Sequence, residues 1–159
     1  MSDKTDYRKT LGKFATGVTI ITTCTKDEYY GFTANSFTSV SLDPPLVLFC
    51  IKTDANFMNA LEQSRIFGVN ILSSVQRELS NKFANPQLTS RERFTDVVLK
   101  KQGECPQIDG TIAFLECSVI KMTEEGDHHI IIGEVKTFLH ESGKEPLLYY
   151  SGSYRSLSS

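Results

Sequence analysis

A neutral, hydroxyl-rich segment that leads straight into an apolar strand restricts this chain more than any other feature. Residues 33–46 read TANSFTSVSLDPPL, and the first nine of them carry five hydroxyl side chains, one amide and no charge. The apolar run at residues 46–51 predicts a buried, central strand. Residues 33–46, here called the ribbon, are rich in hydrogen-bond donors and lie beside such a strand. They suit a planar polar ligand that needs hydrogen bonds rather than countercharges. The composition equally fits a Thr/Ser-rich strand and turn that binds nothing.

Short apolar or alternating runs recur along the rest of the chain and predict strands. The predicted strands cover residues 18–24, 29–34, 46–51, 66–72, 113–120, 129–139 and 149–150. Helical spacing predicts a first helix through Tyr7, Leu11 and Phe14 that stops at Gly17, a second from Asp54 to about residue 64, and a third through Phe83 that opens with a capping box at Ser73. Many strands with a few helices between them indicate a mainly β protein, an antiparallel barrel with helical caps.

Residues 85–109 are polar and rich in breakers, which predicts a long loop or lid within one domain that covers residues 1–159. The net charge of −2 gives no basic field for nucleic acid. No apolar run approaches the roughly 20 residues of a membrane span, so we expect no membrane contact. The polar N-terminus lacks the apolar core of a signal peptide, which favours a cytoplasmic protein.

The cysteine and histidine residues are too scattered to predict a metal site. Three cysteines lie in apolar strand-like runs and are expected to pack as small hydrophobic residues; they are Cys24, Cys50 and Cys117. Cys105 lies in a polar stretch, and we expect it to be the most reactive thiol.

Several short motifs surround the ribbon in a fixed order. They are FATGVTI (14–20), FGVNIL (67–72), LEC (115–117), GDH (126–128), IGEV (132–135) and PLLYY (146–150). In this order and spacing, residues 11–154 resemble the short-chain flavin reductase family, which is built on the FMN-binding split barrel. The resemblance implies an antiparallel split β-barrel, a homodimer, and hydride transfer from NADH or NADPH to FMN or FAD. It also implies that reduced flavin often passes to a separate monooxygenase.

The resemblance assigns the ribbon to the flavin ring, with Thr33 to Ser36 along it and a turn at Ser39 to Ser41 close by. The full set of flavin-binding residues that it implies is Thr33, Ala34, Asn35, Ser36, Ser39, Val40, Ser41, Cys50, Lys52, Thr53, Asn56, Lys82, Phe83, His128 and Tyr150. Lys52, Thr53 and the adjacent helix start would supply cations and N–H donors for a phosphate. Lys82 stands where the family often has Arg, so it keeps the charge without the bidentate geometry.

His128 follows Gly126 and Asp127 at a predicted hairpin turn, where a histidine is usually a solvated polar residue. In the family, Gly-Asp-His lies beside the flavin, so the resemblance implies that His128 positions the nicotinamide and that Asp127 orients the ring. Strand alternation would point His129 the other way.

Two further functions stay open at this stage. One is a flavoprotein that keeps FMN tightly bound and passes electrons to a metal or protein acceptor. The other is a flavin-binding module without turnover. The chain departs from the family pattern at two places that bear on the preferred nicotinamide or flavin tail. Thr95 stands in place of a Gly, and the Ser151-Gly152-Ser153 turn stands in place of a more basic one.

Overall fold

The computed structural model describes residues 3–100 and 103–157. Within them the strands are β1 (Thr16–Gly17), β2 (Thr19–Cys24), β3 (Tyr29–Ala34), β4 (Thr38–Leu42), β5 (Pro45–Lys52), β6 (Ile66–Ile71), β7 (Leu99–Lys100), β8 (Gln107–Ile108), β9 (Ala113–Glu125), β10 (His128–His140), β11 (Leu148–Tyr150) and β12 (Ser153–Arg155). The helices are α1 (Lys4–Leu11), α2 (Asn56–Ser64), α3 (Arg77–Ala84) and α4 (Ser90–Phe94), and a single 3₁₀ turn (Ser74–Gln76) precedes α3. No helix of the described residues is long and apolar enough to cross a membrane.

Seven strands form one antiparallel sheet in the order β3-β2-β6-β9-β10-β5-β4. The two end strands, β3 and β4, are consecutive in the chain and are joined only by residues 35–37. So short a link cannot span a flat sheet of this width, because neighbouring strands lie about 4.8 Å apart. The sheet must therefore curl until its ends meet, and it forms a barrel that stays open along one seam. The predicted antiparallel barrel with helical caps is confirmed.

Two apolar cores lie on opposite sides of the curled sheet. The first contains a cluster of aromatic rings, in which Phe49 and Phe67 pack with centroids 5.0 Å apart and Phe32 and Phe57 with centroids 4.9 Å apart. The second lies between the sheet and α3, and its buried residues are Val18, Ile20, Leu72, Phe83, Ile108 and Leu147. The helices α2 and α3 therefore each cover one layer of side chains, as the predicted caps require.

The first helix ends earlier than the spacing predicts. It stops at Gly12, whose N–H donates to the Arg8 carbonyl at 2.9 Å, and the predicted stop Gly17 lies in β1 instead. The spaced apolar residues do not pack inward: Tyr7, Leu11 and Phe14 keep between 56% and 79% of their surface exposed. Their periodicity marks an exposed apolar face and not a helix buried along its length.

Two other expectations need correction. The second helix begins at Asn56 because Ala55 is its N-cap in extended conformation, and so Asp54 does not cap it. Strand β5 is next to last in the sheet order and not central. Its apolar run is long because Val47, Phe49 and Ile51 fill the core, while the alternate residues are only half-buried on the other face. The capping box at Ser73 is confirmed by its N–H, which donates to Gln76 Oε1 at 3.0 Å.

The segment predicted as a loop, residues 85–109, contains α4 and the short strands β7 and β8; residues 101 and 102 lie outside the described residues. Tertiary contacts fix its second half. Asn70 is fully buried, and its Oδ1 accepts the N–H of Ile108 at 2.8 Å. A polar composition cannot reveal such a partner, because Asn70 lies far away in the sequence.

Gly133 in β10 provides a test of this packing. A Cβ at this position would lie 2.4 Å from the ring of Phe67, which is fully buried. We expect Gly133→Ala to lower the free energy of unfolding by about 1–3 kcal/mol through overpacking, as measured by urea denaturation. Gly17→Ala is the matched control, since no atom lies within 4 Å of its added Cβ. Equal effects of the two substitutions would contradict this account of Gly133.

Candidate active site

A cavity of about 750 Å³ lies at the open seam of the barrel. Its walls are β3, the link after it, the end of β5, the start of α2, the end of α3 and the segment that leads into α4. The predicted site residues that line it are Thr33, Ala34, Asn35, Ser36, Cys50, Lys52, Asn56, Phe83 and His128. The ribbon, the helix start and the hairpin turn, which the sequence predicts separately, thus meet at one cavity.

The hydroxyl groups of the ribbon are engaged by the protein itself. Ser36 Oγ accepts the N–H of Cys50 at 3.0 Å and donates to the carbonyl of the same residue at 3.1 Å. Thr33 Oγ1 donates to the Ser80 carbonyl in α3 at 2.7 Å. Asn35 differs: its side chain is exposed, and its amide has no hydrogen-bond partner among the described residues. Within the ribbon, Asn35 is therefore the side chain with free donors and an acceptor at the cavity.

One end of the cavity can hold an anion. Lys52 is exposed at the end of β5, and Asp54, Ala55 and Asn56 lead into the first turn of α2. Ala55 provides no side-chain acceptor for the N–H groups at this helix start. Uncapped helix N-termini and a lysine attract negative charge. The carboxylate of Asp54 offsets the charge of Lys52, so the N–H groups at the start of α2 are needed for this end to attract an anion.

His128 lies at another edge of the cavity, at the first position of β10. Its Nδ1 is 2.7 Å from Asp127 Oδ1, and this contact holds the pKa of the Asp127 carboxyl below its ordinary value. A carboxylate can only accept a hydrogen bond, so Nδ1 carries a proton, and in the neutral form of the ring Nε2 is an acceptor. His129 does not line the cavity.

Arg93 is a cavity residue that the sequence analysis missed. Its two terminal nitrogens donate to the carbonyls of Gly31 and Asn85, each at 2.9 Å, and burial lowers its pKa. Both partners are backbone groups, which carry no side-chain signal. Nothing in the polar sequence around Arg93 distinguishes it from the exposed Arg91.

The structure places several predicted site residues outside this cavity. Ser39, Val40 and Ser41 lie in β4, where they form a bulged strand instead of the predicted turn. Lys82 lies on the far side of α3, where Nζ donates to the Thr95 carbonyl. The two others are Thr53, whose N–H donates to the Asp127 carbonyl at 3.2 Å, and Tyr150, whose ring lies under Lys13. These residues do not line the cavity in the single chain, and their assignment to the flavin site stays a prediction.

The expected reactivity of Cys105 is also wrong. Cys105 keeps 3% of its surface exposed, and burial raises the pKa of its thiol. The carboxylate of Glu116, which accepts the N–H of Cys105 at 2.8 Å, raises it further. Cys50, half-buried at the cavity, also has a pKa raised by burial, so both cysteines stay protonated.

The donor set of the cavity fits a flavin. Neutral hydrogen-bonding groups and the half-buried ring of Phe32 suit a flat ring with one polar edge. The ammonium of Lys52 and the N–H groups at the start of α2 suit a phosphate on the same molecule. Within the described residues, no cluster of His, Cys, Asp and Glu could hold a metal ion. An open-seam antiparallel barrel with such a cavity defines a flavin-binding protein of the split-barrel class.

Comparison with known proteins supports this class. The family model of flavin reductase-like domains matches residues 11–158. The reductase component of a flavin-dependent trigonelline monooxygenase from Acinetobacter baylyi is 44% identical over 152 residues, which cover 94% of this chain and 47% of the relative. An NADH-dependent flavin reductase from a Rhodococcus species is 40% identical over 154 residues, which cover 94% of this chain and 84% of the relative.

A solved structure has the same fold. It is the Streptomyces globisporus NADH:FAD oxidoreductase SgcE6 in complex with NAD and FAD fragments, with a TM-score of 0.90, 38% identity, and coverage of 98% of this chain and 93% of that chain. The chain belongs to the flavin reductase-like family and has its split-barrel fold, as the resemblance predicts. It spans about half the length of the Acinetobacter relative.

Ser36 and Asn35 separate the structural role of the ribbon from its ligand-binding role. We expect Ser36→Ala to lower the free energy of unfolding by about 1–3 kcal/mol, because the N–H and carbonyl of Cys50 both lose their partner. Asn35→Ala should leave the unfolding free energy within about 0.5 kcal/mol of wild type, as for other exposed substitutions. It should weaken flavin binding, as measured by quenching of flavin fluorescence. A folded Asn35→Ala protein with wild-type flavin affinity would contradict the placement of the ring at the ribbon.

Proposed function

We propose that this chain is an NAD(P)H:flavin oxidoreductase that transfers hydride from NADH or NADPH to FMN or FAD. The observation that carries the proposal is the single cavity in which the free amide of Asn35, the cationic end at Lys52 and the oriented His128 ring converge. Family membership supports the same activity. We further propose that the reduced flavin serves a separate monooxygenase, as the name of the Acinetobacter relative suggests for that protein.

The proposed binding mode follows from the charges of the cavity walls. The amide of Asn35 would hydrogen-bond the pyrimidine edge of the flavin, and the half-buried Phe32 would contact its apolar ring surface. Lys52 and the N–H groups at the start of α2 would hold the phosphate. The bound flavin supplies the hydride-accepting ring, so the protein need only bind and orient the two reactants.

His128 would orient the nicotinamide. Hydride transfer requires the two rings to stack at about 3–3.5 Å, and it needs no side-chain nucleophile. With Nδ1 bonded to Asp127, the neutral ring presents Nε2 as an acceptor, which can receive the carboxamide N–H of a nicotinamide. The Asp127–His128 pair therefore acts in positioning and not in proton transfer.

We also propose a cytoplasmic location and a homodimer. All four cysteines are free, which is the state that a reducing cytosol maintains. Several large apolar side chains are exposed, among them Phe14, Leu42 and Phe138 with 74% or more of their surface free. Exposed apolar groups of this size favour burial in an interface between copies of the chain.

The direct test of the function is oxidation of NADH or NADPH in the presence of excess free flavin. We expect loss of the near-ultraviolet absorbance of the reduced nicotinamide with at least one donor and with FMN or FAD. Turnover only after addition of a metal or protein acceptor would favour a flavoprotein that retains its FMN. Flavin binding without turnover with either donor would favour a binding module.

A paired histidine test examines the role of His128. We expect His128→Ala to raise the KM for the nicotinamide by about 5–20-fold, which corresponds to the loss of one hydrogen bond of about 1–1.8 kcal/mol. Flavin affinity should stay near that of wild type. His129→Ala is the control, because His129 lies next to His128 but outside the cavity lining. Equal effects of both substitutions, or an effect on flavin affinity alone, would contradict the nicotinamide role.

The proposed homodimer is tested by light scattering. At micromolar concentrations we expect a mass of about twice 17.8 kDa. A mass that stays at the single-chain value over this range would contradict the dimer.

A further inference from the structure

One wall of the cavity is joined to β3 by the hydrogen bonds of a single side chain. Pro86, Leu88, Thr89 and Ser90 line the cavity between the end of α3 and the start of α4. Arg93 in α4 reaches in two directions, to the Gly31 carbonyl in β3 and to the Asn85 carbonyl at the start of this wall. The guanidinium thus connects the wall to the ribbon side of the cavity.

The other hydrogen bonds of the wall are mostly local. Thr89 and Glu92 form a capping box within the segment, and Asn85 Oδ1 accepts the N–H of Gln87 at 2.9 Å. These bonds shape the segment but do not attach it to β3. With only five residues, α4 is too short to be stable as an isolated helix.

Apolar packing attaches the far end of α4. Phe94 contacts Phe83 edge-on with centroids 5.0 Å apart, and Tyr29 at 5.7 Å. This cluster anchors the end of α4 to α3 and β3, but it does not include residues 86–90, which line the cavity. Their distance from β3 therefore depends on the Arg93 bridge.

Partial burial of the Arg93 guanidinium is energetically unfavourable. Its Nε is buried and has no hydrogen-bond partner among the described residues. Removing a guanidinium from water is unfavourable, and its two carbonyl contacts must offset this loss. A lysine in the same place would keep the charge, but its single ammonium cannot reproduce the planar fork that joins the two carbonyls.

We propose that Arg93 is a positioning residue that clamps the wall at residues 85–90 against β3 and so limits the rate at which flavin leaves the cavity. The inference rests on the proposed flavin reductase function. A flavin that is delivered to a second protein must leave the reductase, and the wall that moves aside for it is the one that Arg93 holds.

The test compares Arg93→Lys and Arg93→Ala with Arg91→Lys, a control at an exposed position of the same helix. Flavin dissociation and association are followed by stopped-flow fluorescence, well below the unfolding midpoint of each variant. Both Arg93 variants should release flavin about tenfold faster, equivalent to about 1.4 kcal/mol, with little change in association rate. Arg91→Lys should behave like wild type.

A second measurement does not depend on flavin. Hydrogen exchange of the ligand-free protein should become faster at residues 84–94 in both Arg93 variants, and should stay unchanged in Arg91→Lys. Wild-type behaviour of Arg93→Lys alongside a large effect of Arg93→Ala would show that charge matters, and would overturn the clamp. Unchanged exchange would also overturn the clamp, and in a protein that binds flavin so would faster exchange without faster flavin release.

These experiments distinguish failure of the proposed flavin reductase function from failure of the Arg93 clamp. If the wild-type protein binds no flavin, the proposed function fails by itself. The exchange measurement then decides the clamp alone: faster exchange in Arg93→Lys supports it, and wild-type exchange overturns it.

Discussion

The hydrogen bonds between Ser36 Oγ and the backbone of Cys50 hold together the seam on which the rest of the structure depends. Residues 35–37 join strands from opposite ends of the sheet, so the barrel must close where this link passes β5. At that point Ser36 takes the place of a neighbouring strand, since its hydroxyl both accepts from Cys50 and donates to it. The seam is therefore bridged at one point by a side chain and not closed by a continuous ladder, and the open space beside it becomes the cavity.

This closure divides the ribbon between two roles. Hydroxyl groups that bond the backbone, at Ser36 and Thr33, fix the cavity wall and have little capacity left for a ligand. An intramolecular hydrogen bond adds about 1 kcal/mol of stability, but an unpaired buried backbone group costs about 1–3 kcal/mol. The hydroxyl groups of Ser36 and Thr33 therefore stabilise the fold and are less available to bind a ligand. The exposed Asn35 can instead bind a planar ligand edge without any loss to the barrel.

The sequence was sufficient where short-range pattern determines structure. The bounds of β3, the hairpin turn before His128 and the capping box at Ser73 follow from local alternation and turn chemistry. The sequence was insufficient where residues far apart in the chain determine the structure. Cys105 is buried because its segment is hydrogen-bonded to the inner strands β2, β6 and β9 of the sheet. Arg93 reaches the cavity by binding the backbone carbonyl of Gly31. Backbone partners have no side-chain identity, so the spacing and composition around Arg93 did not indicate this contact.

The walls of the cavity differ in local stability. The ribbon side belongs to the sheet and shares its cooperative stability, whereas residues 85–90 form a short surface segment with largely local bonds. An enzyme that only orients two rings gains from a rigid surface under the flavin, because small displacements slow hydride transfer. An enzyme that also releases its product gains from a wall of lower stability. Under the proposed function, a single arginine between the two walls would let the rate of flavin release change without disturbing the surface on which the ring is oriented.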